Sequence, residues 1–289
     1  MEGLSALLAL RVVLVGVERL LLRRLGDAAS PGACSAVFFG IGALVLLPFA
    51  LRGAPLAPLT LRVAVASGFV YAAAYWLYVA ALAGGELSRT APLGSLSSVF
   101  VVLFAWWVHG ESLSLPKAAG AALIAAGSAA LQSRPAAGGR GLAPVAALQM
   151  GGYALLTALT RMLDKAGTGG AASDPARYAF VVFATVAVCQ LVLLAGTGRL
   201  AQVSRLLGAH PAVSLGAGLC NGLSFLALAV LLTRLPVSVA EPVTALSLLV
   251  TAVLAALVYR EPLAARWLPT VAVVVGSFLI MVRGSGPHG

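Results

Sequence analysis

The sequence predicts an all-α membrane protein whose ten transmembrane helices form two inverted five-helix repeats. Three observations predict it. Of the 289 residues, 61% are hydrophobic and only 10% are charged, and the mean hydropathy is +1.01; soluble domains carry about 25% charged residues. The apolar residues fall in blocks of roughly the 20 residues that a helix needs to cross the hydrocarbon core. The second half of the chain repeats features of the first at matched spacing.

The blocks run over 4–22, 33–51, 61–82, 91–109, 116–132, 142–163, 175–196, 212–233, 239–258 and 266–282. The first lies in "MEGLSALLALRVVLVGVERLL", with an acidic Glu2 where a signal peptide carries basic residues, so it reads as a retained span. Ser30-Pro31, Thr60 and Asp174-Pro175 stand where an N-cap and a first-turn residue start a helix. Ala118, Ala122, Ala126 and Ala130 recur every four residues in the fifth span, a stripe expected to let it approach a neighbour closely. The polar stretch "SRPAAGGRG", 133–141, reads as a linker between one half, 1–132, and the other, 142–289.

A shift of 150 residues lays 67–111 on 217–261 with nine identities, among them Gly68 on Gly218, Ser88 on Ser238, Pro92 on Pro242, Ser97 on Ser247 and Glu111 on Glu261. The first spans align under a shift of 138, which sets Gln149 opposite Arg11 and Arg161 opposite Arg23. The 12-residue difference is expected as extra loop in the second half, around 166–174. Five is odd, so two such halves joined by one short linker enter the membrane in opposite directions.

The formal charge of +10 raises nucleic acid as a partner, but the basic residues are scattered between apolar blocks, with no run longer than Arg23-Arg24. A nucleic-acid footprint needs a clustered patch, and flanking basic residues are the membrane pattern. Counted with the N-terminus inside, the inner loops hold eight basic residues, Lys117, Arg161, Lys165 and Arg177 among them, and the outer loops nine, so charge sets no orientation. Cys34, Cys189 and Cys220 lie in or beside apolar segments without CxxC spacing and read as packing residues. His109, His210 and His288 are dispersed, and neither a metal site nor a cofactor is expected. There is no Walker A motif, no H-E-x-x-H and no G-x-S-x-G elbow, and no histidine sits mid-span to serve as a base. An intramembrane enzyme or a membrane scaffold is therefore the minor alternative.

The stretch "GGELSRTAPLGSLSSVFVVLFAWWVHGESLSLPKAAGAALIAAGSAAL", 84–131, resembles the EamA-like family of the drug/metabolite transporter (DMT) superfamily: a proline opens the fourth span, Gly-Glu closes it, and a Gly/Ala-rich span follows. "LPVSVAEPVTALSLLVTAVLAALVYREPLAARWLPTVAVVVGSFLIM", 235–281, is similar to the second copy. Arg11 and Arg260 depart from the family pattern. The resemblance implies a ten-helix fold in the cell membrane, both termini cytoplasmic, and export or exchange of small metabolites. A secondary transporter of small organic metabolites such as amino acids, working by alternating access, is the leading expectation; an exporter of cationic drugs is the alternative. The expected partners are the bilayer and a small-molecule substrate. A proton or other coupling ion, and a homo-oligomer, stay open.

No residue is assigned a catalytic part. Arg11 lies near the middle of span one, where a charge costs roughly 2.5–3.5 kcal/mol on insertion scales, so it faces the bundle interior or water. Glu18 follows two turns on along nearly the same face. Two readings stand: an internal ion pair or snorkelling, or an anion-binding arginine with Glu18 as counter-ion or proton site. Gln149 places a polar group at the matched depth. Tyr71, Tyr75 and Tyr78 share a helix face; Tyr78 is expected in the interfacial belt, with Tyr71 and Tyr75 open to a cavity. Asn221 needs a partner, substrate or helix. Ser238-Val-Ala-Glu241 is a capping-box pattern with Pro242 in the first turn, which makes Glu241 a helix cap first and a substrate or proton site second. Ser88, Pro92, Glu111, Ser238, Pro242 and Glu261 are the candidates for capping or gating.

Overall fold

The computed structural model describes residues 2–83, 93–133, 144–170, 173–244, 246–259 and 267–282. Ser88, Pro92, Glu261 and most of the linker lie outside the described residues, as does the side chain of Pro242. The described residues form α1 (Glu2–Ala28), α2 (Pro31–Arg52), α3 (Pro58–Ala83), α4 (Leu96–His109), α5 (Leu115–Ser133), α6 (Pro144–Thr168), α7 (Pro175–Gly196), α8 (Ala201–Ala209), α9 (Pro211–Leu232), α10 (Val237–Thr244), α11 (Ser247–Tyr259) and α12 (Trp267–Val282).

Helix starts follow the sequence where proline and a cap coincide. Asp174 accepts a bond from the backbone N–H of Arg177 at 2.8 Å, with Pro175 at the first helical position. Ser30 stands before Pro31 in the same way, but its hydroxyl bonds Gln202 of α8 instead of capping α2. Thr60 is not a start: α3 begins two residues earlier, at Pro58, whose missing N–H suits a first turn.

Helices α2, α3, α7 and α9 are long and apolar enough to cross a membrane, and shorter apolar helices lie within α4, α5, α11 and α12. Helices α1 and α6 reach 27 and 25 residues, yet they read as less apolar because both carry the charges described below. The most extensive packing is α2 along α7, α3 along α6 and α5 along α12, followed by α1 along α9. Phe38 and Phe39 of α2, Tyr71 and Tyr75 of α3, Phe183 of α7 and Phe225 of α9 interleave at the centre with ring centroids 4.6–6.5 Å apart, the offset and edge-on range of aromatic pairs.

Two glycines of the 150-residue shift do the same work. A Cβ at Gly68 of α3 would stand 2.6 Å from Thr185 of α7, and one at Gly218 of α9 would stand 2.5 Å from Ile41 of α2. Each lets one helix reach its neighbour. Gly120 of α5 and Gly276 of α12 meet back to back, and a Cβ at Gly276 would lie 2.6 Å from the Gly120 carbonyl oxygen. This corrects the alanine stripe. Ala118, Ala122 and Ala126 face outward, while Gly120, Ala121, Ile124 and Gly127 are buried. The helix is so uniformly small that spacing alone could not choose its packed face. Gly276→Val should therefore cost about 1–3 kcal/mol through overpacking, read as a lowered melting temperature in detergent, whereas Ala122→Val should change little.

Two further features differ from expectation. The long connection is not around 166–174, most of which lies in or next to α6, but after α7: residues 197–210, with α8 among them, join α7 to α9, whereas 53–57 join α2 to α3. The ninth apolar block, expected as one span over 239–258, is broken between Thr244 and Ser247. The Ser247 hydroxyl takes up the Thr244 carbonyl at the break, the kind of substitution that lets a helix end inside a membrane protein. A turn at Ser95 likewise precedes α4.

Candidate functional site

Charged residues from α1, α6 and α10 meet where these helices converge. Arg161 of α6 donates through Nε to Glu241 Oε2 at 2.6 Å and through Nη1 to Asp164 Oδ2 at 3.2 Å. Arg11 of α1 donates through Nε to Thr244 Oγ1 at 2.9 Å and through Nη1 to the Ser224 carbonyl at 2.7 Å, and its Nη2 lies 3.8 Å from Glu241 Oε2. One carboxylate thus bridges two arginines on different helices. Arg11, Arg161, Glu241 and Asp164 are 3%, 6%, 5% and 1% exposed. At such burial a charge survives only when paired and hydrogen-bonded.

Asp164 is fully subscribed. Besides Arg161 it accepts from Ser67 Oγ at 2.7 Å, Tyr178 OH at 3.0 Å and Tyr71 OH at 3.2 Å, four donors for a carboxylate's roughly four lone-pair sites. Tyr71 also lies beneath the Arg161 guanidinium, 5.5 Å from it to the ring centroid, a cation–π arrangement.

Glu18 is placed differently. It is 4% exposed, and its nearest hydrogen-bonding group is the Ser224 hydroxyl at 3.3 Å, whose one proton is also claimed by the Asn221 carbonyl at 3.0 Å. Among the described residues no lysine or arginine nitrogen lies within 4.0 Å of it. Its chain neighbour Arg19 lines the same cavity without pairing with it at that distance.

Arg11, Arg161, Glu241, Glu18, Ser224 and Thr244 line one cavity of about 40 Å³, bounded also by Val15, Arg19, Tyr75, Tyr78, Ser95, Ser97, Tyr153 and Asn221, with Asp164 outside it. By this measure it has room for about three waters, so a metabolite enters only if the helices part. A larger groove of about 770 Å³ between α3 and α7 is apolar, and Phe69, Trp76, Val192 and Leu193 expose their side chains along it; such a surface suits lipid tails.

Of the residues expected at a site, the structure brings Arg11, Glu18, Tyr75, Asn221 and Glu241 into the cavity lining. Tyr71 is buried behind it on Asp164, and Gln149 is half-buried and not among the described lining residues. Three expectations are corrected. Tyr78 is not in an interfacial belt: it is 3% exposed and stacks on Tyr153 with centroids 4.4 Å apart. The Ser238–Glu241 capping box does not form. Glu241 turns to Arg161, while Ser238 accepts from Lys117 Nζ at 3.0 Å and bonds Glu111; two buried arginines attract a carboxylate more strongly than one backbone N–H does. Arg161 and Lys117 are not loop residues but are buried within α6 and α5.

Sequence reasoning missed Asp164, Arg161, Arg19 and Ser95. One signal was available for the first two: an arginine and an aspartate three apart, hence on one helix face, in a segment otherwise apolar. Glu111, just past the end of α4, lies 3.7 Å from Lys117 and bonds Ser238, which joins α4, α5 and α10 outside the cavity lining.

Residues 4–132 match the model of the EamA-like transporter family. No curated protein matches the chain. A solved crystal structure is similar in fold, with a TM-score of 0.65 at 20% identity, over 94% of this chain and 98% of the other.

Proposed function

We propose that this chain, a DMT-type membrane transporter whose residues 4–132 belong to the EamA-like family, moves small zwitterionic metabolites of the amino-acid kind across the cell membrane by alternating access. The cavity carries this reading. It is small, polar and charged, and its walls come from α1, α3 and α4 of one proposed half and α6, α9 and α10 of the other; inverted-repeat transporters hold cargo between their halves. Its lining has three arginines, Arg11, Arg19 and Arg161, against two carboxylates, Glu18 and Glu241. That balance speaks for an anionic or zwitterionic cargo over a cationic drug.

The two halves in this proposal are α1 to α5, and α6, α7, α9, α10 with α11, and α12. Exchanged contacts support it: α1 with α9 answers α3 with α6, and α2 with α9 answers α7 with α3. The Arg11–Glu241–Arg161 bridge ties α1 to α6, and the Glu111–Ser238–Lys117 cluster ties α10 to α4 and α5. Opening to one side breaks one of these ties and keeps the other.

Reconstituted protein loaded with a mixture of small amino acids, organic acids and amines, and assayed by mass spectrometry, should show saturable export of a few zwitterions. No movement of any compound by folded protein, with imposed proton and sodium gradients also tried, would sink the reading.

Orientation has a second reading with its own support. With Arg161 and Lys117 buried, the loop count of eight against nine becomes six against nine. The nine lie on the side of Arg23, Arg24, Arg199 and Arg205, which the positive-inside rule assigns to the cytoplasm; the family resemblance assigns the opposite side. A Ser204→Cys variant labelled in whole cells by an impermeant maleimide decides between them, since labelling places the α8 side outside.

A further inference from the structure

Three buried side-chain atoms without a hydrogen-bond partner converge on the central cavity: Arg19 Nη1, Ser95 Oγ and Asn221 Nδ2. Ser95 and Asn221 are 4% and 2% exposed, and a buried polar group left unpaired is costly. Arg11, the arginine first suspected of binding cargo, is in the opposite condition, and so is Arg161. Arg11 spends its nitrogens on Thr244, Ser224 and Glu241, and Arg161 spends its own on Glu241 and Asp164.

We propose that the cargo's carboxylate is held by Arg19, Ser95 and Asn221, while Arg11 and Arg161 are the frame around it. This rests on the transport reading above. Arginine only donates, so the group opposite it must accept; a serine hydroxyl and an asparagine amide donate as well. Three donors from three elements suit the two oxygens of one carboxylate. Ser95 stands immediately before α4, a 14-residue helix, and the positive end of the helix dipole faces the same place. The Tyr78 hydroxyl pairs with the Arg19 side chain, which orients the guanidinium. Glu18, next to Arg19 in the chain and in the same cavity lining without an ion pair within 4.0 Å among the described residues, remains for the ammonium. Waters satisfy the three donors in the resting cavity, and the carboxylate displaces them.

The test compares each amino acid that the wild type moves with its own α-carboxamide, in proteoliposomes, for Ser95→Ala, Asn221→Ala, Arg19→Gln and Arg19→Lys. Ser95 Oγ and Asn221 Nδ2 have no partner to lose, so those two variants should melt within a degree or two of the wild type and remain folded controls. The KM for the carboxylate should rise about 10-fold or more in Asn221→Ala and Arg19→Gln, the factor set by one charge-assisted hydrogen bond. Arg19→Lys should recover part of it, and the carboxamide should change less than about 3-fold. Variants that handle the carboxylate like the wild type, or lose carboxylate and carboxamide alike, overturn the assignment. A wild type that moves no member of the panel overturns the transport reading and this assignment together.

Discussion

Arg161→Met is expected to lower stability by about 3–5 kcal/mol, the scale for removing one partner of a buried ion pair. Arg161 is the cation for two carboxylates at once, Glu241 at 2.6 Å and Asp164 at 3.2 Å. Its loss leaves Asp164 with three hydroxyl donors and no cation within salt-bridge distance among the described residues. Glu241 keeps only Arg11, at 3.8 Å. Arg11→Met should cost less, because Glu241 then retains its shorter bond. Thermal unfolding in detergent should therefore rank wild type above Arg11→Met above Arg161→Met. Adding Glu241→Gln and Asp164→Asn to Arg161→Met removes the stranded charges and should recover most of the loss. If Arg161→Met melts with the wild type, the network does not frame the bundle.

Glu18→Gln is expected to do the reverse: leave stability unchanged or raise it, and reduce transport of ammonium-bearing compounds about 30-fold or more, the range for truncating one partner of a buried charge pair. Glu18 is a buried carboxylate with one long hydrogen bond, so neutralising it removes a desolvation cost and no ion pair. Initial rates in proteoliposomes and a melting curve on the same preparation test both halves of the claim. Loss of gradient-driven accumulation with intact passive exchange would assign Glu18 to a coupling proton or cation instead of the cargo. Wild-type flux in both assays would remove Glu18 from the site.

Arg161 and Glu18 also mark how far the sequence could be read. Glu18, Arg11, Asn221, Tyr75 and Glu241 stood out because each is polar or aromatic at a depth where lipid surrounds the chain, and all five line one cavity. Arg161 did not stand out, because it lies close to the end of an apolar block and was assigned to a loop. Helix α6 runs on to Thr168, which carries Arg161, Asp164 and Lys165 inside the helix. Lys165 then donates to the Leu232 and Leu235 carbonyls, at 2.7 and 3.0 Å, and closes the end of α9. The scarcity of charge asymmetry between loops has the same origin: basic residues near helix ends are spent on internal partners.

The sequence by itself determined that the chain is a helical membrane protein, where most of its helices begin, and which isolated polar residues had to be accounted for. Desolvation fixes those points, since each follows from the cost of placing backbone, charge or apolar surface in the wrong solvent. Only the tertiary structure decided which way each helix is turned, that Glu241 serves Arg161 instead of Ser238, that the ninth block is broken, and that Gly120 packs while Ala122 faces outward. In water an apolar stripe reports the buried face of a helix. In a bilayer the lipid side is as apolar as the packed side, so the pattern that would have fixed rotation is absent, and only the contacts between helices supply it.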